Sequence, residues 1–218
     1  MYTLIVGNQE WSSWSLRPYM ALVATGAPFK TEVIKLRQPP ASKENILKHS
    51  PAGKVPVLKS GSEIIWDSLA ICETLAERHP EARLWPDDSQ IRARARAYAA
   101  EMHSGFPDVR DQLSMHFSQS LPLPELRDDT KAQIARIIAA WEDTLAQHGK
   151  EDGFLFGRFC VADCMYAPVV SRFTTFGVEV PAQVKAYMDK VWALPGMQSW
   201  LAAAKEEVAN GFSGLYPA

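Results

Sequence analysis

The segment KVPVL at residues 54–58 places a proline inside an apolar, β-branched run. Proline has no amide hydrogen to donate to a neighbouring strand, so Pro56 is badly placed for the centre of a sheet. It suits a point where the chain turns one backbone edge outward, and we predict a cis Val55-Pro56 bond there. The amide and carbonyl of Val55 would then be free to pair with an extended peptide ligand.

A helix start follows this segment. Asp67 and Ser68 open the helix that we predict over residues 67–79. The first amides of a helix have no partner within the helix and therefore attract anions. A free backbone edge beside such a helix start suits a small peptide that carries a free carboxylate.

Strand and helix patterns alternate through the first third of the chain. Apolar runs predict strands over residues 2–6, 31–36, 55–59 and 63–66. Helical spacing predicts helices over residues 15–25, 42–49 and 67–79, with Pro18 in the first turn of the first and Ser42 capping the second. The order βαβαββα is that of a thioredoxin-like domain, with a parallel, right-handed first unit and an antiparallel hairpin.

The rest of the chain has helical patterns. Two prolines and acidic turn residues in PEARLWPDDS, residues 80–89, indicate a linker. Beyond it we predict helices over residues 91–113, 128–147, 161–174, 183–193 and 198–209, with a bend at Pro107 in the first of them. The predicted class is α/β followed by all-α, with a thioredoxin-like domain over 1–81, a linker over 82–89 and an all-helical domain over 90–218.

Composition narrows the classes of function. The 218 residues carry a formal net charge of −2 and no long basic run, so we expect no nucleic-acid partner. Without a transmembrane-length apolar stretch or a signal sequence, we expect a cytoplasmic protein that does not bind membranes. The three cysteines, Cys72, Cys160 and Cys164, are odd in number and too sparse for a disulfide framework, and we expect no metal site.

A serine-rich turn joins the first predicted strand to the first helix. This serine turn is NQEWSSWSLR, residues 8–17. One serine is enough to cap a helix, which leaves Ser12 and Ser13 in excess, although serine-rich turns are common. A hydroxyl beside a helix start can also hold a thiolate, whose pKa falls there by about one unit or more from its usual value of about 8.5.

Four motifs together resemble those of the glutathione S-transferases. They are SSWSLR at 12–17, KVPVL at 54–58, WDSLAI at 66–71 and GRFCVAD at 157–163. Each motif is weak alone, and the resemblance depends on their order and spacing across the whole chain. The serine turn is most similar to the zeta class, the maleylacetoacetate isomerases, and to bacterial relatives of that class. The resemblance implies glutathione as cosubstrate, a small electrophile as second substrate, and a homodimer.

The resemblance also implies roles for the serines and for the second motif. Ser12 matches the serine that donates a hydrogen bond to the glutathione sulfur, and Ser13 beside it is the rival. The backbone of Val55, before Pro56, would pair with the cysteinyl part of glutathione.

Three other positions match the ends of the bound peptide. Ser68 would bind the γ-glutamyl carboxylate, and Asp67 would face its ammonium group, where zeta enzymes more often carry glutamine. Lys54 and Gln38 are candidates for the glycyl end.

The acceptor pocket should lie between the domains, beside the helix predicted over 91–113. The candidates on that helix are Glu101, Met102, His103, Ser104 and Asp108. His103 suits acid or base catalysis near neutral pH, although a histidine without a visible partner more often packs or faces solvent. Trp14 is a candidate for an apolar wall.

The fourth motif begins a helix. Asp163 should cap that helix, with Cys160 where the family prefers a hydroxyl, so we expect a weakened cap. Zeta isomerases grip a substrate carboxylate with an arginine further along it. By register that position holds Thr175 here, and Arg172 lies one turn earlier.

Several functions remain open on these grounds. We predict a glutathione transferase that uses a serine-stabilised thiolate, with a glutathione-dependent cis-trans isomerase or a low-activity glutathione-binding interaction domain as alternatives. A thiol-disulfide enzyme would need a cysteine near Ser12, and the nearest one, Cys72, lies inside a predicted helix.

Overall fold

A four-stranded mixed sheet forms the first part of the protein. The computed structural model describes residues 1–38 and 40–212. The strands are β1 (Tyr2–Gly7), β2 (Phe29–Ile34), β3 (Val57–Ser60) and β4 (Glu63–Trp66). Their spatial order is β2-β1-β3-β4, with β1 parallel to β2 and β3 antiparallel to both β1 and β4. The predicted parallel unit and antiparallel hairpin are confirmed.

Nine α-helices complete the described part of the chain. Three belong to the sheet half: α1 (Ser13–Thr25), α2 (Ala41–Leu47) and α3 (Ser68–Arg78). Six follow: α4 (Ser89–Ser104), α5 (Pro107–Gln112), α6 (Asp128–His148), α7 (Val161–Phe176), α8 (Ala182–Trp192) and α9 (Pro195–Ala209). The predicted class, a thioredoxin-like α/β unit followed by an all-helical one, is confirmed. Among the described residues, no helix combines the length and apolarity needed to cross a bilayer.

Some element boundaries differ from the predictions. Helix α1 begins at Ser13 because the Ser12 carbonyl already accepts hydrogen bonds from the amides of Ser15 and Leu16, and this places Pro18 inside the helix. Helix α2 is preceded by Pro40, so Ser42 is not its cap. The Ser42 hydroxyl instead donates to the Lys35 carbonyl at 2.7 Å.

The helix predicted over 91–113 is two helices. Phe106 adopts a left-handed conformation with φ of 57°, and α5 starts at the next residue, Pro107. A Cβ atom on Gly105 would lie 2.7 Å from the Glu101 carbonyl oxygen, so the chain needs glycine where α4 ends. The bend expected at Pro107 is therefore a break that redirects the chain.

Helix α7 lies at the centre of the helical half and is buried along almost its whole length. Its start is held by Asp163, which accepts hydrogen bonds from the amides of Leu155 (3.2 Å) and Cys160 (2.9 Å). The Cys160 side chain also accepts from the Asp163 amide, so both halves of the capping box are present and the expected loss of one half is wrong. Burial raises the pKa of Asp163 to about 6.

Glu10 ties the serine turn to the helical half. Its carboxylate accepts a hydrogen bond from the Ser118 amide at 3.0 Å, and its carbonyl accepts one from the Phe117 amide at 3.1 Å. The residue is fully buried. Burial, assisted by repulsion from the Glu207 carboxylate, raises the pKa of Glu10 to about 7. The folded protein therefore keeps the Glu10 proton to a higher pH than the unfolded chain does.

This pKa predicts how stability depends on pH. We expect the Glu10 contribution to the free energy of unfolding to be complete below pH 4.5 and to disappear as the pH rises to about 7. Urea denaturation at a series of pH values measures the slope. Glu10→Gln should flatten this part of it, whereas Glu206→Gln, at an exposed carboxylate of α9, should not. Equal slopes in Glu10→Gln and the wild-type protein would contradict the assignment.

Candidate active site

Two adjoining cavities lie between the sheet half and the helical half. The Pro56 cavity has a volume of about 300 Å³, and the serine cavity about 540 Å³. Trp14 and Val55 line both, so the cavities form one cleft with a shared boundary. The other residues of the Pro56 cavity are Ala52, Lys54, Pro56, Trp66, Asp67, Ser68 and His103. The serine cavity includes Ser12, Ser13, Leu36, Arg37, Arg110, Asp111 and Arg172.

The Val55-Pro56 peptide bond is cis, as predicted from the proline position. Strand β3 begins only at Val57, whose partner in β1 is Ile5. Val55 consequently lies beyond the described strand pairing and borders the cleft. The backbone edge that the sequence predicts is therefore at the wall of both cavities.

The start of α3 forms one end of the Pro56 cavity. Asp67 has a left-handed φ of 74° and caps the helix, its Oδ1 accepting from the amides of Leu69 (2.9 Å) and Ala70 (3.2 Å). Ser68 is 1% exposed, and its hydroxyl has no hydrogen-bond partner among the described residues. A buried, unpartnered hydroxyl is costly, and an anion at this helix start would satisfy it.

His103 connects the two halves across the same cavity. Its Nε2 lies 3.1 Å from Asp67 Oδ2, and its ring meets Trp14 edge-on at a centroid distance of 5.4 Å. The sequence offered no partner for this histidine because Asp67 is 36 positions away. A ligand ammonium that approaches Asp67 therefore meets a carboxylate already shared with an imidazole.

The serine hydroxyls form a short chain of hydrogen bonds. The Oγ atoms of Ser12 and Ser15 are 2.7 Å apart, and Ser15 Oγ also accepts from the Gly7 amide at 3.1 Å. When Ser15 donates its hydrogen to Ser12, the Ser12 hydrogen is free for an acceptor in the serine cavity. Ser15, which the sequence suggested only as a helix start, thus orients Ser12.

Ser13 has a different partner. Its Oγ accepts a hydrogen bond from Arg172 Nη2 at 3.2 Å. Arg172 is 4% exposed and also donates to the carbonyls of Arg110 (3.3 Å) and Leu113. Thr175, the position matched by register, is buried and donates to the His116 carbonyl at 2.9 Å, so Arg172 is the residue of the two that lines the cleft.

Arginines surround Trp14. The guanidinium carbons of Arg17 and Arg110 lie 3.9 Å and 5.1 Å from its ring centre. Burial, followed by the charges of Arg172 and Arg110, lowers the pKa of Arg17 to about 9. Burial also lowers the pKa of Arg110. Because Arg110 and Arg172 line the serine cavity and both act on the nearby Arg17, we expect a positive potential in that cavity.

Among the described residues that line the serine cavity, the one carboxylate is already paired. Asp111 lines the serine cavity, but its Oδ2 accepts a hydrogen bond from Arg127 Nη2 at 2.8 Å.

The sequence did not identify Arg110 as a site residue, and nothing in its spacing relative to Arg17 or Arg172 indicated that the three would meet.

Five of the predicted site residues line neither cavity: Gln38, Glu101, Met102, Ser104 and Asp108. Asp108 accepts hydrogen bonds from Arg127 (3.1 Å) and Gln133 (2.5 Å) and links α5 to α6, away from both cavities. Gln38 lines a third cavity against α9, and its amide donates to Ser42. Within residues 1–38 and 40–212, no three His, Cys, Asp or Glu side chains are grouped as metal ligands would be.

The chain is similar in sequence to known proteins. The chain matches the family model for the glutathione S-transferase N-terminal domain over residues 11–78 and that for the C-terminal domain over residues 124–203. Glutathione S-transferase 1 of Dianthus caryophyllus is 30% identical over 78% of this chain and 77% of its own length. The probable maleylacetoacetate isomerase of Caenorhabditis elegans is 25% identical, with 81% of this chain and 88% of that protein covered.

A solved structure gives a similar result. A sphingomonad glutathione S-transferase, complexed with glutathione, is 26% identical, with a TM-score of 0.68 over 93% of this chain and 98% of that one. The two family models match most of the chain, one in each half, and the Dianthus relative extends over both. The chain belongs to the glutathione S-transferase family.

Proposed function

We propose that this protein binds glutathione in the Pro56 cavity and transfers its thiolate to an electrophile in the serine cavity. The observation that carries the proposal is the arrangement of hydroxyls along the cleft. At one end lies the buried Ser68 hydroxyl, which has no hydrogen-bond partner within the described part of the chain, and at the other end lie the hydroxyls of Ser12 and Ser13. The Ser68 hydroxyl suits a carboxylate, and the hydroxyls of Ser12 and Ser13 suit a thiolate. Val55 lies between them.

The ends of glutathione have candidate partners within the Pro56 cavity. Ser68 and the start of α3 would bind the γ-glutamyl carboxylate, and Asp67 would accept from its ammonium group beside His103. Lys54 lines the same cavity and is our candidate for the glycyl carboxylate. Gln38 faces the third cavity, so we do not include it.

The reaction needs an ionised sulfur. The thiol releases its proton to solvent, and the serine hydroxyls stabilise the resulting thiolate by donating hydrogen bonds to it. The thiolate then supplies the electron pair for a carbon–sulfur bond with an unsaturated carbon of the electrophile. The π bond at that carbon breaks, and the carbanion that results takes a proton from solvent. In this scheme the serines are hydrogen-bond donors and form no covalent bond themselves.

A cis-trans isomerase is the second candidate. Its thiolate would add to a cis double bond, allow rotation about the resulting single bond, and leave again as the same thiolate. The arginines around Trp14 favour an acceptor that carries a carboxylate, and the Caenorhabditis elegans relative bears the name of such an isomerase. A cis-dienone diacid with catalytic glutathione distinguishes the two activities. For either activity we propose a cytoplasmic homodimer.

Glutathione binding is the first prediction of this proposal. At a hundredfold excess over its dissociation constant, glutathione should stabilise the protein by about 2.7 kcal/mol, seen as a higher melting temperature. Ser68→Ala should remove most of this shift. Ser89→Ala is the matched control, since Ser89 also follows a capping aspartate, Asp88, but is exposed on α4. No shift in the wild-type protein at millimolar glutathione would exclude both binding and transfer.

The serines should differ in their effect on turnover. Ser12→Ala should lower kcat for conjugation on the order of a hundredfold and change glutathione affinity little, because the hydroxyl acts on the charged sulfur. Steady-state kinetics with a neutral electrophile measures both. Ser13→Ala is the comparison variant, and a larger loss there than in Ser12→Ala would exchange the two roles.

The charge of the serine cavity should determine which electrophiles react fastest. Arg110→Met keeps the side-chain bulk and should lower kcat/KM about tenfold for an electrophile that carries a carboxylate. The value for a neutral electrophile should stay within about twofold. Arg136→Met removes an arginine that pairs with Glu101 outside the cleft, and should change neither value. An equal loss for both electrophiles would show that Arg110 does not select for charge.

A further inference from the structure

The peptide groups that lead into the serines are held by residues from the far end of the chain. Glu207 on α9 accepts two hydrogen bonds through its carboxylate, from the amides of Gln9 (2.9 Å) and Glu10 (3.1 Å). The Trp200 indole, also on α9, donates to the Gln9 carbonyl at 2.7 Å. About 190 residues separate these partners in the sequence.

These contacts are inside the protein. Gln9 is 8% exposed, and Glu10 and Trp200 are fully buried. Water therefore has little access to the two amides, and an acceptor lost there would leave a buried donor without a partner. Glu207 supplies both acceptors with a single side chain.

The backbone segment that Glu207 holds is directly connected to the backbone of Ser12. The Asn8 carbonyl accepts hydrogen bonds from the amides of Trp11 (3.1 Å) and Ser12 (2.8 Å), which closes a tight turn around Gln9 and Glu10. A displacement of those two residues therefore moves Ser12. The 2.7 Å contact between Ser12 and Ser15 would be altered by such a movement.

We propose that Glu207 is a positioning residue for the thiolate-stabilising serine. It fixes the backbone at Gln9 and Glu10, the turn transmits this position to Ser12, and Ser12 keeps the geometry in which Ser15 donates to it. Helix α9 is in this way part of the active site without touching either substrate. The inference rests on the proposed thiolate chemistry of this cleft.

Glu207→Gln tests this role. A glutamine has one oxygen and one NH₂ group, so one of the two amides loses its acceptor and faces a donor. We expect kcat to fall on the order of tenfold while the KM for glutathione changes less than about twofold. The thiol pKa of bound glutathione, followed by the ultraviolet absorbance of the thiolate, should rise by about one unit.

Two other variants separate positioning from general destabilisation. Glu206→Gln makes the same chemical change at the neighbouring, exposed carboxylate of α9 and should behave like the wild-type protein. Glu207→Asp keeps both acceptor oxygens and should keep more of the wild-type kcat than Glu207→Gln. A wild-type thiol pKa in folded Glu207→Gln, or equal losses in the Asp and Gln variants, would overturn the inference.

Amide hydrogen exchange gives a readout that does not depend on glutathione. In Glu207→Gln, exchange should become faster at Gln9 and Glu10 and also at Trp11 and Ser12, because the turn transmits the change. Faster exchange confined to Gln9 and Glu10 would overturn the positioning role. If the wild-type protein binds no glutathione, the proposed function fails, and this exchange pattern still reports on the link from Glu207 to Ser12.

Discussion

The packing of α1 against α7 determines where the active-site side chains meet. Both helices are largely buried, and Arg17 on α1 donates a hydrogen bond to the Met165 carbonyl of α7 at 3.0 Å. Because α1 begins with the serines and α7 carries Arg172, this packing brings Ser13 within 3.2 Å of that guanidinium. The serine cavity exists only where the two halves of the chain are in contact. Its chemistry therefore depends on an interface between the sheet half and the helical half.

The free-energy cost of burying charged side chains at this interface has to be offset by favourable contacts. Arg17 is almost fully buried, and desolvation together with two neighbouring guanidinium groups works against its charge. The Trp14 ring face and the Met165 carbonyl are the partners that offset part of this cost. At the start of α7, Asp163 is also buried, and its carboxylate accepts hydrogen bonds from two backbone amides. These buried contacts fix the direction in which α7 leaves the loop, and with it the place of Arg172.

The sequence predicted what depends on near neighbours. The cis bond at Val55-Pro56, the capped helix after Asp67, the parallel first unit and the antiparallel hairpin all follow from residues close together in the chain, and all are confirmed. The break at Gly105 was predicted as a bend because proline alone does not reveal that the preceding turn leaves no room for a Cβ atom.

Contacts between residues that are far apart in the chain have no comparable signal in the sequence. Asp67 meets His103, and Glu207 meets Gln9, through packing of whole helices, and no spacing in the sequence encodes those distances. The same is true of Arg110, which joins Arg17 at the Trp14 ring. Cys160 is a case of the opposite kind, because the local preference for a hydroxyl at the cap is less strict than its sequence pattern suggests. Its sulfur accepts the backbone hydrogen bond that a hydroxyl would accept.

The division of the cleft explains why the cosubstrate is easier to infer than the acceptor. Most of the Pro56 cavity comes from residues 52–68, a single stretch whose motif can be recognised. Among the described residues that line it, His103 is the one from the helical half. The serine cavity draws on the serine turn, α5 and α7, which are far apart in sequence. Trp14 and Val55 belong to both cavities, so a sulfur bound at their boundary would face the serines on one side and the arginines beyond. In the function proposed above, recognition of glutathione would therefore be local, whereas choice of the electrophile would depend on how the two halves pack.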